Sequence, residues 1–137
     1  VGEPAPAVVH VLSTGGPWEN LGKGLAGTAG VPQLIGQGTL TAGQPVAWHL
    51  KEGLPGATAW LVVGFTLLDL PFMGGWLVPA PDLLFPAPLD SDGHLHFPGI
   101  MPAATPAGVE LFFQFWIADP GAPFGFAGSN GLTGTTG

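Results

Sequence analysis

The sequence predicts an all-β protein, an antiparallel β-sandwich or jelly roll of about eight or nine short strands. Three observations predict this class. The 24 glycines and 16 prolines interrupt nearly every stretch of the 137 residues, which disfavours helices. Between these breaks, apolar runs recur about every 12 residues, a spacing typical of sandwiches. Finally, 46% of the residues are hydrophobic, including nine Phe and five Trp, which supplies the core that disordered chains lack.

The run 109–119 gives the clearest strand prediction, because it is the longest stretch without Gly or Pro. Its odd-numbered residues are mostly large and apolar, and this period of two predicts a central strand with that face in the core. Pro86 and Pro88 mark another run as an edge strand or a bulge. The Gly-rich segment 20–27 is expected to form a loop. The remaining apolar runs lie, in chain order, at 7–13, 33–40, 46–51, 58–68, 76–78, 83–89, 94–98, 124–127 and 132–136.

We expect two parts, an extended N-terminal arm with the first strand at 1–17 and a sandwich domain at 18–137. The β-branched segment 7–12 of the arm has two interpretations. It is either the first strand of its own sandwich or a donor strand that adds to the sheet edge of a neighbouring copy. Head-to-tail donation need not close, and it then propagates into a fibre. Its wholly apolar face is Ala7, Val9 and Val11, and the candidate assembly residues are Ala7, Val8, Val9, Val11 and Leu12.

Composition excludes several classes of function. With two basic side chains, Lys23 and Lys51, and a net charge of -7, the chain lacks the basic surface that nucleic acids require. Without cysteine it has no disulfide and no thiolate metal site. No stretch reaches the roughly 18 apolar residues of a membrane span. The opening residues 1–6 lack the pattern of a signal peptide, and we expect a mature product or an excised domain that is secreted to the cell surface or an appendage.

No catalytic motif stands out, and we expect that the protein is not an enzyme. Ser13, Ser91 and Ser129 all lie outside any G-x-S-x-G elbow. The glycine-rich stretch 22–30 lacks the Lys-Ser/Thr pair of a phosphate loop. Paired carboxylates for glycoside hydrolysis are not excluded by their number, but the acidic residues lie near Pro or Gly, which suits turns.

Two pairs of side chains are candidates for metal binding. His94 and His96 lie two residues apart on an expected strand, so they share a face and can bind a transition metal if His49 or a carboxylate supplies a third ligand. The alternative is a polar, solvent-facing side of that strand. Asp90 and Asp92 resemble the start of a calcium loop, although the downstream acidic ligand is missing. The alternative there is a hairpin turn.

Three tryptophans are candidates for contact with a ligand, since sugar rings stack on exposed aromatic faces. Trp18 lies in an expected loop, Trp76 near a Gly-Gly turn, and Trp116 on the even-numbered face of the run 109–119. The alternative is packing in the core or in an interface between copies, because an aromatic surface with little charge favours self-association.

Two segments resemble a known family. The first, 71–82, begins Pro-Phe-Met-Gly-Gly-Trp, and the second, 112–132, begins Phe-Phe-Gln-Phe-Trp and ends Ser-Asn-Gly-Leu. With Trp18, 24–27 and 32–34 ahead of them, they are similar to a β-rich domain at the C-terminal ends of large secreted proteins of planctomycete-type bacteria. The resemblance covers 18–136 and implies extracellular placement and a structural or adhesive role, with no catalytic assignment. In that family the domain is appended to a large protein, and residues 1–17, which precede the similar part here, depart from that arrangement.

These observations predict an extracellular structural subunit that assembles with copies of itself into a filament, tube or surface layer. Strand donation from the arm is one route to this assembly, and contact through aromatic surface patches is another. The alternative is a secreted carbohydrate- or matrix-binding module, in which exposed tryptophans bind an extracellular glycan beside calcium at Asp90 and Asp92. The two interpretations differ in the partner, which is a copy of the chain in one and a glycan in the other.

Overall fold

The computed structural model describes residues 16–137, and the candidate assembly residues at 7–12 lie outside this range. Within it the chain forms eleven β-strands and no helix, which confirms the predicted all-β class. Accordingly, this part of the chain holds no helix long and apolar enough to cross a membrane. The strands are β1 (Trp18–Gly22), β2 (Gln33–Gly38), β3 (Pro45–Lys51), β4 (Thr58–Gly64), β5 (Leu67–Phe72), β6 (Gly75–Pro79), β7 (Leu83–Pro88), β8 (Leu95–Ile100), β9 (Glu110–Ala118), β10 (Phe126–Gly128) and β11 (Gly131–Thr135).

Two antiparallel sheets pack against each other as a sandwich. The larger has the strand order β1-β11-β9-β4-β7, and β10 also pairs with β9. Strand β11 pairs with the first half of β9 and β10 with the last part, so β9 is central, as predicted. The smaller sheet has the order β2-β3-β8, and β5 and β6 form a separate hairpin. Strand β7, with its two prolines, is an edge strand, which confirms that prediction.

The main core lies between the two sheets. The odd-numbered residues Phe113, Phe115 and Ile117 of β9 are fully buried there, which confirms the face predicted from the alternation. They belong to one buried cluster with Trp48 and Leu50 of β3. The rings of Phe113 and Trp48 lie 5.2 Å apart. Each such side chain contributes about 1.5–3 kcal/mol by leaving water, so this layer supplies most of the stabilisation.

The other face of β9 is also buried, which the alternation did not indicate. The β5–β6 hairpin covers it, and Val78 of β6 is fully buried. Gln114 holds the hairpin in place, because its Oε1 accepts the Val78 N–H and its Nε2 donates to the Trp76 carbonyl. The same Gln114 accepts the indole N–H of Trp116 and donates to the Ser129 carbonyl, so both ends of its amide are satisfied.

Two strands, β1 and β5, are absent from the sequence prediction. Strand β1 begins just before the segment predicted as a loop and exists because it pairs with β11, more than a hundred residues away. The predicted run 58–68 divides into β4 and the start of β5 because the chain leaves the large sheet after Gly64. A Cβ at Gly64 would overlap the backbone of Ala80, so the close approach there requires glycine.

Candidate functional site

The two sheets separate along one side of the sandwich, where β7 and β8 are the edge strands of the described chain. A groove of about 580 Å³ opens between them. We call it the β7–β8 groove. Its walls are mainly apolar, and its residues include Trp48, Leu61, Phe85, Phe97, Ile100 and Leu111. The rings of Phe85 and Phe97 lie 6.3 Å apart and join the two walls.

The rim of the groove exposes large apolar side chains to solvent. Ile100 is 71% exposed and Phe65 is 56% exposed, and Leu83 is also exposed beside them. All three line the groove. A single exposed apolar residue is ordinary, whereas several around one groove are typical of an interaction surface.

One polar group in the groove wall lacks a partner. The indole N–H of Trp48 is buried, and it has no hydrogen-bond acceptor among residues 16–137. Leaving such a donor unsatisfied costs about 1–3 kcal/mol. Because this nitrogen is shielded from solvent, it does not open into the groove, and the cost stays within the wall.

Prolines restrict main-chain pairing along both walls of the groove. Pro86 and Pro88 of β7 and Pro98 of β8 have no N–H to donate. Natural proteins use such edge prolines to limit uncontrolled strand pairing. These prolines leave fewer main-chain donors along the walls of the groove for hydrogen bonding to another strand.

The opposite side of the sandwich is closed by hydrogen bonds between the sheets. The Asn130 side chain accepts the Leu34 N–H at 2.7 Å and donates to the Leu34 carbonyl at 3.1 Å, which joins the chain between β10 and β11 to β2. The indole N–H of Trp18 donates to the Gly38 carbonyl at 2.9 Å. Trp18 itself packs over Gly36, where a Cβ would overlap the ring.

A buried carboxylate completes this closed side. Asp119 is 1% exposed and lies just after β9. It accepts hydrogen bonds from the N–H and the hydroxyl of Thr28 and from the Gly121 N–H. Desolvation by burial raises the pKa of Asp119, but the hydrogen bonds from Thr28 and Gly121 outweigh it, and the net shift lowers that pKa. Asp119 therefore fixes the loop between β1 and β2 against β9.

The three candidate tryptophans occupy different environments. Trp18 is 6% exposed and Trp116 is 4% exposed, so both pack in the interior, which is the alternative given for them, and neither presents its ring face to solvent. Trp116 is buried because Phe72 of the hairpin packs edge-on against its ring at 5.1 Å. Trp76 remains, at 42% exposed, with the Lys23 ammonium 5.0 Å from the centre of its ring.

The Asp90 and Asp92 segment forms a tight turn. One carboxylate oxygen of Asp90 accepts the N–H of Asp92 at 2.8 Å and the N–H of His94 at 2.9 Å. These bonds, the one from His94 first, lower the pKa of Asp90. The geometry is that of the predicted turn, in which Asp90 uses one oxygen for the backbone.

The structure brings His96 next to His49. His49 of β3 and His96 of β8 are cross-strand partners, and their Nδ1 atoms lie 3.2 Å apart. His94 precedes β8 and shares a shallow surface depression with them. Burial and the neighbouring His96 lower the pKa of His49, so its ring is neutral near pH 7. In the described part of the chain, no three His, Cys, Asp or Glu side chains are placed to hold one metal ion.

Several residues that carry the family resemblance have structural roles here. Gln114 and Ser129 connect β9 to the hairpin and to the chain after β10, and Asn130 connects the two sheets. Met73 and Gly74 both have positive φ and form the hairpin turn between β5 and β6. These motifs therefore specify the fold.

Comparisons with protein-family models, with curated proteins and with solved structures find no match to this chain. The resemblance to the planctomycete-type domain stays a prediction. The sequence alone did not single out the groove residues Phe65, Leu83 and Ile100. The available signal was the proline-marked edge run 83–89, but the sheet that faces it cannot be read from local sequence.

Proposed function

We propose that this protein is an extracellular structural subunit that assembles with copies of itself. In this proposal the β7–β8 groove of one copy receives the segment 7–12 of a neighbouring copy. The observation that carries the proposal is the groove itself, an apolar channel between two edge strands with Ile100, Phe65 and Leu83 exposed on its rim. Burial of this surface on assembly would supply about 25 cal/mol for each Å² removed from water.

The segment 7–12 has the chemistry that the groove requires. In an extended segment, alternate side chains point to opposite sides. Ala7, Val9 and Val11 would then enter the groove together, while His10 and its neighbours on the other face stay outside. Small and β-branched side chains suit a narrow channel between two sheets, and their side chains lose little conformational entropy on burial.

The prolines of β7 and β8 select for side-chain fit over indiscriminate strand pairing. Pro86, Pro88 and Pro98 have no N–H to offer a neighbouring strand, so a segment in the groove would depend on its apolar side chains.

The donor and acceptor parts occupy different places on the molecule. The Pro17 carbonyl accepts the Thr135 N–H at 3.4 Å, so Pro17, just after the arm, lies at the edge formed by β1 and β11. The groove lies at the other edge, between β7 and β8. A contact between two different surfaces is head-to-tail, and such contacts generate open chains of copies. The low content of charged residues, 8%, leaves few like charges to oppose this packing.

Sedimentation velocity and negative-stain imaging of the full chain test the proposal. We expect ordered polymers from the unmodified protein. The variant Ile100→Asp, which places a charge on the groove rim, should remain monomeric. The matched control is Ile35→Asp, since Ile35 is exposed on the outer face of β2, away from the groove, and this variant should still polymerise. An unmodified chain that stays monomeric across salt and calcium concentrations would contradict the proposal.

Trp76 supports a second candidate function, a carbohydrate- or matrix-binding module. Its ring is exposed beside Lys23, which also pairs with Asp69, and a flat aromatic face next to polar groups is how proteins commonly bind sugars. Binding to a glycan array that is lost in Trp76→Ala, with polymerisation absent, would favour this function over assembly.

A further inference from the structure

The outer face of the smaller sheet carries a pair of histidines that neither proposed function uses. His49 and His96 are directly opposite each other on β3 and β8. Their ring centres are 4.5 Å apart, and the nearest nitrogens are the two Nδ1 atoms at 3.2 Å. Both side chains are accessible to solvent on the side of the sheet away from the core.

Gln37 of β2 fixes the protonation pattern of the pair. Its Oε1 lies 2.7 Å from Nε2 of His49 and, being a carbonyl oxygen, accepts a hydrogen from it. A neutral His49 with its proton on Nε2 has a lone pair on Nδ1, directed at His96. A hydrogen bond of this kind to the non-ligating nitrogen is how proteins orient the histidines of metal sites.

The spacing of the two Nδ1 atoms matches ligation of a single ion. Nitrogens bound about 2.0–2.1 Å from one ion lie about 2.9 Å apart at a right angle and about 3.3 Å apart at a tetrahedral angle. The observed 3.2 Å falls between these values. Both ligands are on neighbouring strands of one sheet, so their positions are set by backbone pairing, and little ordering is needed on binding.

We propose that His49 and His96 bind one divalent transition-metal ion of the class that prefers imidazole, such as Zn²⁺, Ni²⁺ or Cu²⁺, through their Nδ1 atoms. Water fills the remaining coordination positions, since the described chain places no third ligand there. In the free protein, His96 can donate its Nδ1 proton to His49. On binding, that proton moves through solvent to Nε2 of His96, which frees both Nδ1 lone pairs. The bound ion then joins β3 to β8, one wall of the groove.

Zn²⁺ titrations of the full chain test this proposal. We expect one ion per chain by calorimetry, and a rise in Tm with Zn²⁺ but not with Mg²⁺, because a ligand that binds the folded state stabilises it. His49→Ala and His96→Ala should each abolish binding, whereas the nearby His94→Ala should retain it. Gln37→Ala should weaken binding about tenfold, as is typical when the partner of a ligating histidine is removed.

Nitrogen NMR of the unmodified protein keeps the test independent of variants that fail to fold. We expect Zn²⁺ to shift Nδ1 of both His49 and His96 while their Nε2 atoms stay protonated. Absence of binding, ligation through Nε2, or equal loss of binding in His94→Ala would overturn the proposal.

Discussion

The two sides of the sandwich are built on different principles. On the closed side, hydrogen bonds that involve the side chains of Asn130, Trp18 and Asp119 join the sheets and the β1–β2 loop. On the open side, β7 and β8 diverge around an apolar groove whose rim exposes Phe65 and Ile100. The difference shows that side-chain hydrogen bonds join the sheets on the closed side, while the open side leaves apolar surface exposed.

The largest expected effect comes from Asp119→Ala on the closed side. It removes the acceptor of three hydrogen bonds from Thr28 and Gly121, and we expect the free energy of unfolding to fall by about 3–5 kcal/mol. Urea denaturation measures it. The control is Asp92→Ala in the exposed turn, which should change stability by less than about 0.5 kcal/mol. Similar losses of unfolding free energy in both variants would contradict the role of Asp119 in closing this side.

Asn130→Ala should have the next largest effect and lower the free energy of unfolding by about 2–3 kcal/mol, because it leaves both the N–H and the carbonyl of Leu34 without a partner. Denaturant unfolding at constant m-value is the measurement. Gln33→Ala, at an exposed position of the neighbouring strand β2, serves as control. A loss below about 0.5 kcal/mol would mean that side-chain hydrogen bonds do not close this side.

The same substitution on each side compares the two regions most evenly. Gly36→Ala places a methyl group inside the Trp18 ring and should cost about 1–3 kcal/mol. Gly99→Ala, in the groove wall, meets its nearest atoms on Trp48 and Val46 at 3.7 Å, an ordinary contact, and should leave stability within about 0.5 kcal/mol. The measurement is the thermal unfolding of both variants and of the unmodified protein under the same conditions. Equal costs would contradict the difference in packing.

Acid should weaken the closed side through Asp119. Its pKa is lower in the folded protein than in the unfolded chain, so the stabilisation is fully present above the ordinary carboxyl pKa and is lost as pH falls through the lowered value. Stability curves between pH 6 and pH 2 should therefore be steeper for the unmodified protein than for Asp119→Asn, which cannot titrate. If stability falls equally steeply with pH in the two proteins, Asp119 does not contribute to the acid sensitivity.

A substitution on the rim of the open side should have only a small effect on the stability of the single subunit. Phe65→Ser replaces a half-exposed ring and should lower the free energy of unfolding by less than about 1 kcal/mol. The same variant should reduce assembly measured by light scattering, because it removes apolar surface from the groove rim. A large loss of stability with unchanged assembly would reverse the roles assigned to the two sides.

Sequence reasoning succeeds where the determinant is local. The alternation in 109–119 identifies β9 and its buried face, and Pro86 and Pro88 identify an edge strand. It fails where distant segments meet. The burial of Trp116 depends on the β5–β6 hairpin folding over β9, and the pairing of His49 with His96 depends on β3 lying next to β8. The groove is likewise a product of strand order.

Directed cross-linking tests the central claim, that segment 7–12 of one copy occupies the groove of another. The chain has no native cysteine. In the double variant Val9→Cys with Phe65→Cys, the disulfide that spans this contact joins residue 9 of one copy to residue 65 of another. The control is the double variant Val8→Cys with Phe65→Cys, because Val8 lies on the opposite face of an extended segment. After mild oxidation we expect a ladder of covalent oligomers for the Val9 variant and far less for the control. A disulfide confined within single chains, or equal cross-linking of both variants, would contradict the claim.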